Sequence, residues 1–260
     1  MRVALGIEYD GSAFCGWQHQ PQMPTVQETL ESALKSFSTV PLRTVCAGRT
    51  DTGVHATHQV VDFDSPVQRP LTAWVRGVNA YLPSTVAVRW ARFVPDDFSS
   101  RFSAVERTYE YWILNDPVRS PLLASRTGWL FRPCDEAKMQ EAANLLIGEH
   151  DFSSFRASEC QAKTPVRLVH EVTVKRFGRM IGIRLRANAF LHHMVRNIVG
   201  SLVYVGTGRE SLSWFKEVFE AKDRTLAAPT FAASGLYLVG VKYPDFPDLP
   251  THSPTIFNFP

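Results

Sequence analysis

Apolar and polar positions alternate through Val3, Leu5, Ile7 and Tyr9, which predicts a strand over residues 2–9 with one buried face. Asp10-Gly11-Ser12 then reads as a turn. Thr25 and Glu28 stand at capping-box spacing, with Val26, Leu30, Leu34 and Phe37 following at helical intervals. β-rich stretches come next at 43–47 and 58–64, around a loop at 48–57. A helix over 71–81 and a strand over 85–93 close the first half. In the second half, strands are predicted at 107–114, 170–177 and 180–187, the last two joined through Gly178-Arg179 as a hairpin. Helices are predicted at 136–147, between the cap Asp135 and the stop Gly148, and at 189–204 and 212–221. A final strand runs from Leu236 to Tyr243.

Strands and helices do not alternate strictly, so the pattern predicts an α+β fold. It has two similar halves, each a mostly antiparallel sheet with helices packed on one face. The boundaries fall at 1–104, 105–244 and a proline-bearing tail at 245–260, read as an extended strap or a frayed end.

Composition narrows the class. The chain has 260 residues, 45% of them hydrophobic, which supports a proper core and excludes a disordered or fibrous chain. No apolar run approaches the roughly 20 residues of a membrane span. The start is too soon acidic for a signal peptide, so a soluble, cytoplasmic protein is expected. Cys15, Cys46, Cys134 and Cys160 are scattered without metal-ligand spacing and read as reduced thiols.

The net charge of +3 is unevenly spread. Residues 156–200 hold nine Lys and Arg against two Asp and Glu, while the flanking stretches are slightly acidic. Such a block is either a phosphate-binding patch or a solvated strand face.

Candidate chemistry concentrates in Cys46-Ala47-Gly48-Arg49-Thr50-Asp51-Thr52-Gly53-Val54-His55-Ala56. Asp51 has the makings of a nucleophile or base and Arg49 of a phosphate contact, although Asp-Thr-Gly between strands is also an ordinary turn. On the helix at 189–204, adjacent His192 and His193 point apart and do not chelate. Arg196, beside a long apolar stripe, is either solvated or aimed at a carboxylate, for which Asp51 is the candidate. Tyr109 and Tyr111 share one face of their strand and serve either as core or as a surface for base stacking.

Taken in order, several motifs resemble the TruA family of tRNA pseudouridine synthases along nearly the whole chain. They are Tyr9-Asp10-Gly11-Ser12, Gly16-Trp17-Gln18, Gly48-Arg49-Thr50-Asp51-x-Gly53-Val54-His55-Ala56 and Arg101-Phe102-Ser103-Ala104. Further on come Arg107-x-Tyr109, His150-Asp151-Phe152, Ala187-Asn188-Ala189-Phe190-Leu191-His192-x-Met194-Val195-Arg196-Asn197 and Gly235-Leu236-Tyr237-Leu238. The resemblance implies the pseudouridine synthase fold, with a central cleft between its halves. It implies an isomerase that needs no cofactor or metal and converts uridines 38, 39 and 40 of the tRNA anticodon stem-loop, as a homodimer.

By the same resemblance Asp51 is the catalytic nucleophile, Arg196 pairs with it, and Tyr109 stacks on the target base. Arg49 holds that nucleotide out of the helix. Arg69, the segment Phe98, Ser99, Ser100, Arg101 and Phe102, and the segment Glu159, Cys160, Gln161, Ala162 and Lys163 contact RNA. Ser100 and Lys163 depart from the commoner Ala and Arg of the family. The competing readings are a non-catalytic tRNA-binding protein or chaperone of the same fold, and a nucleoside hydrolase. The basic block disfavours the hydrolase, since small neutral nucleosides need no such field.

Overall fold

A computed structural model describes residues 1–252 and Phe257. The rest of the tail, 253–256 and 258–260, lies outside the described residues. The architecture is α+β with mostly antiparallel pairing, and it divides into two compact units.

The first unit comprises Met1–Val105 together with the chain from Tyr237 onward. Its strands are β1 (Arg2–Tyr9), β2 (Val45–Cys46), β3 (His55–Asp64), β4 (Val86–Val94) and β10 (Leu236–Lys242). They run in the order β4-β1-β3-β10, with β2 on β3. β1 pairs antiparallel with both β3 and β4, whereas β10 lies parallel to β3, with Tyr237 opposite His55. Chain order alone assigns the last strand to the second half. Pairing with β3 draws it into the first unit instead.

Helices α1 (Val26–Ser38) and α2 (Leu71–Asn79) pack on this sheet. Trp74, fully buried on α2, meets Phe37 of α1 at 5.1 Å and Phe63 of β3 at 5.3 Å between ring centres. Such aromatic edges bury large apolar areas and fix the helix on the sheet. Thr25 caps α1 by accepting the Glu28 N–H, as the capping-box spacing predicts.

The second unit is continuous, Glu106–Leu236. Its sheet runs β5 (Glu106–Asn115), β9 (Met180–Ala187), β8 (Val166–Phe177), β7 (Gly148–Asp151), with β6 (Gly128–Leu130) along β5. β8 and β9 form the expected hairpin, with Gly178 at φ +59°. The helices are α3 (Glu136–Asn144), α4 (Met194–Gly206) and α5 (Leu212–Ala221). On α3, Gln140 bonds both the carbonyl of Val172 and the N–H of Val174, tying the helix to β8.

Candidate active site

The loop between β2 and β3 is short and held from several sides. Gln59, fully buried on β3, donates to the Gly48 carbonyl at 2.6 Å and accepts the Gly48 N–H. The Trp17 N–H donates to the Thr50 carbonyl at 2.9 Å, the Val54 N–H to that of Asp51 at 3.1 Å, and the Gly53 N–H to that of Phe14. Gly53 turns the chain at φ +78°. Asp51 is thereby left half-buried, between an exposed Arg49 and an exposed Thr52. His55 is a structural member of the motif. Its buried Nδ1 accepts the Gly11 N–H at 3.0 Å, and its ring stacks on Tyr237. The Cys46 thiol is pushed up to about 12 by burial, against the pull of Arg49 and Arg101. It stays protonated and offers no nucleophile, and it places Arg49 and Arg101 in the surroundings of one group.

Residues 98–102 do not present a uniform RNA-facing loop. Phe98 is fully buried between Tyr243 and Phe246. Ser100 is fully buried too: its N–H donates to Asp62 at 2.7 Å, its hydroxyl to Val45, and its carbonyl accepts from Tyr243. These two side chains are core, which corrects their reading as RNA contacts. Aromatic pockets and saturated hydrogen bonds leave them nothing to offer a ligand. Ser99 is half-buried, with its N–H on Ser103 Oγ. What the loop exposes is Arg101 over the ring of Phe102, itself 79% exposed. Arg69 is exposed just ahead of Pro70, the cap of α2.

In the second unit Tyr109 lies on β5 opposite Leu185, its ring edge-on to Phe190 at 4.9 Å. Tyr111 on the same face is fully core, its hydroxyl bonded to the Ala232 carbonyl. The predicted helix at 189–204 begins only at Met194. His193 takes a left-handed conformation at φ +61°, and residues 189–191 are extended or irregular. Apolar periodicity ran through Phe190 and Leu191, so the break was hidden from it. Off the helix, the His192 and His193 rings come within 3.9 Å of each other, contrary to the divergence a helix would impose. Arg196, in the first turn of α4, donates from Nε to the Phe231 carbonyl at 2.9 Å, and its own carbonyl accepts the Phe231 N–H. That two-way tie fixes the direction of the guanidinium.

The 159–163 segment is organised by Arg156, which donates to the carbonyls of Cys160 and Ala162. Glu159, Gln161 and Lys163 are exposed, while Cys160 and Ala162 are half-buried. Burial would raise the Cys160 thiol, but N–H groups of His192 and Ala162 and the charge of Arg156 bring it below its ordinary value.

Comparison with known proteins now decides the family. The sequence model described as tRNA pseudouridine synthase matches residues 6–103 and 142–244. The chain belongs to the tRNA pseudouridine synthase family. tRNA pseudouridine synthase A of Burkholderia cenocepacia (strain HI2424) is 60% identical over 244 residues, covering 94% of this chain and 90% of that protein. That of Paraburkholderia phymatum is 59% identical, covering 94% of this chain and 91% of that protein. A chain of a solved Cbf5-Nop10-Gar1 complex covers 91% of this chain and 48% of its own at 11% identity, with a TM-score of 0.42, a likeness too slight to carry weight. As a member of this pseudouridine synthase family the protein is an isomerase that converts uridine to pseudouridine in tRNA. No helix among the described residues is long and apolar enough to cross a membrane.

For a tRNA-modifying enzyme the basic block is less uniform than its count suggests. Arg176 pairs with Glu136 at 2.8 Å, Arg179 with Asp116 at 2.7 Å, Arg184 with Glu110 at 2.8 Å, and Arg186 with both Glu106 and Glu171. Those carboxylates come mostly from outside the segment, so a running count could not see them. Arg156 and Arg167 instead bond backbone carbonyls.

Proposed function

We propose that this isomerase acts on uridines 38, 39 and 40 of the tRNA anticodon stem-loop, with Asp51 as its nucleophile. The single observation that carries the reading is the Asp51 loop: a half-buried carboxylate on a backbone pinned at Thr50, Asp51 and Gly53. A carboxylate held so rigidly is preorganised for positive charge that develops at C1′ of the ribose. In the reaction the N1–C1′ bond breaks, the uracil turns, and a C5–C1′ bond forms. The C5 proton is lost and N1 gains one, so the change is an isomerisation.

Each further residue has a role that its setting supports. Arg196, aimed by Phe231, orients the carboxylate. Tyr109, braced by Phe190, stacks on the target base, and Arg49, exposed beside Asp51, holds the extruded nucleotide. Arg101, Phe102, Arg69, Glu159, Gln161 and Lys163 meet the RNA as exposed side chains. Backbone and shape rather than base edges select the substrate.

The enzyme works in the cytoplasm as a homodimer. That reading is supported by the family resemblance and by exposed Val118, Leu122 and Phe131, which a second copy would cover.

The test is release of tritium from C5 of unmodified tRNA. Wild type is expected to release it and Asp51→Asn to release none while still binding tRNA. Release by the variant would overturn the role of Asp51, and a wild type that binds without release would mark a non-catalytic tRNA-binding protein.

A further inference from the structure

Tyr9-Asp10-Gly11-Ser12 and Gly16-Trp17 stand out in the sequence, yet the chemistry above uses none of them. In the structure they form the wall against which the Asp51 loop rests. Gly16, at φ +85°, sits so close that a Cβ there would lie 2.8 Å from the Thr50 carbonyl oxygen. Gly11 is pressed against the Val54 carbonyl in the same way. Tyr9, 3% exposed, shares a hydrogen bond of 2.8 Å with the hydroxyl of Thr50, itself 7% exposed.

We propose that Tyr9 is a positioning residue for the isomerisation, acting through Thr50 to set the orientation of the peptide that carries Asp51. This rests on Asp51 being the nucleophile.

Thr50 immediately precedes Asp51 and is anchored twice. The Trp17 N–H holds its carbonyl oxygen at 2.9 Å, and Tyr9 holds its side chain. One bond to a carbonyl oxygen fixes a point and leaves the peptide plane free to rock about it. The second anchor, on the other side of the Cα, removes that freedom.

Both anchors stand on rigid supports. Tyr9 ends β1, in register with Ala56 of β3 and Val86 of β4. Gly16 and Trp17 are tied to the first turn of α1, where the Val26 and Gln27 N–H groups donate to their carbonyls at 3.2 and 3.0 Å. Because both hydroxyls are buried, water does not readily replace the bond when one is removed. Small misplacements of a catalytic group cost turnover far more than binding.

The experiment compares Tyr9→Phe, Thr50→Val, the double variant and Thr50→Ser. It reads single-turnover tritium release from C5-labelled tRNA, tRNA affinity and melting temperature. Tyr9→Phe and Thr50→Val are each expected to slow release by roughly 10- to 100-fold with tRNA affinity unchanged. The double variant should be no slower than either single, and Thr50→Ser, which keeps the hydroxyl, should restore most of the rate. Unchanged rates, losses that multiply in the double variant, or losses that track tRNA affinity would overturn the proposal. Asp51→Asn, run alongside, separates the two readings. An active Asp51→Asn sinks the nucleophile assignment, whereas an inactive Asp51→Asn beside a fully active Tyr9→Phe sinks only the role of Tyr9.

Discussion

Glu110 and Arg184 face each other across the β5–β9 ladder, with Arg184 Nη2 donating to Glu110 Oε1 at 2.8 Å while the carboxylate is only 1% exposed. Its second oxygen accepts the Trp112 indole N–H at 3.1 Å, so the buried anion is fully engaged. Removing one partner of such a pair strands the other. Glu110→Ala is expected to cost about 3 kcal/mol in urea unfolding, and replacing both residues by Leu to recover much of that loss. A single variant as stable as wild type would show that the pair contributes nothing.

Arg196 is expected to matter for turnover and little for binding, since its guanidinium is steered by Phe231. Arg196→Ala should lower kcat by at least about 100-fold with tRNA affinity nearly intact. Arg196→Lys should not rescue it, because an ammonium lacks the Nε that bonds Phe231 and the planar fork beyond it. Equal losses in affinity and turnover would make Arg196 a phosphate contact instead.

The 98–102 loop separates two kinds of effect. Arg101→Ala should weaken tRNA binding and reduce the salt slope of log Kd by about 1, the signature of one lost phosphate contact. Ser100→Val, which removes the hydroxyl bonded to the Val45 carbonyl and overfills a closed site, should lower the melting temperature without changing that slope. Salt-titrated binding curves check the first and thermal unfolding the second.

Burial also sets a pH dependence. His58, fully buried on β3, is pushed down to about 4 by desolvation, partly offset by its bond to the Pro250 carbonyl. Its ordinary value is 6.5. Between the two the unfolded chain takes up a proton that the folded protein refuses, so stability falls as pH drops from 6.5 toward 4, by at most about 1.4 kcal/mol per pH unit. Above 6.5 the group is neutral in both states and contributes no slope. His58→Gln, which keeps a donor for Pro250, should flatten this part of the profile by about 2–3 kcal/mol between pH 7 and 4.5. Parallel profiles for the two proteins would count against it.

How far the sequence speaks for the structure differs from element to element. α1 was legible because Thr25, Glu28 and the Val26–Leu30–Leu34 stripe all point to one helix. β1 and the β8–β9 hairpin were legible from alternation and the Gly178 turn. The short strands β6 and β7 were not, because three or four residues carry no period of their own and exist only through pairing with β5 and β8. Asp51 stood out for its motif, whereas the inward turn of Phe98 and Ser100 depends on Tyr243, far along the chain. Tyr9 and Thr50 were visible as motif members, but only the fold brings their hydroxyls together.

The parallel pairing of β10 with β3 has a consequence for how the molecule is made. The second unit is one uninterrupted stretch, Glu106–Leu236. The first unit, which carries Asp51, lacks a strand until Tyr237 and its neighbours have been synthesised. During translation the earlier-made unit thus cannot complete its sheet as soon as its own N-terminal stretch emerges, a departure from the usual N-terminal-first order. The loop that bears Asp51 leads into β3, whose parallel partner is made only when the chain is almost finished.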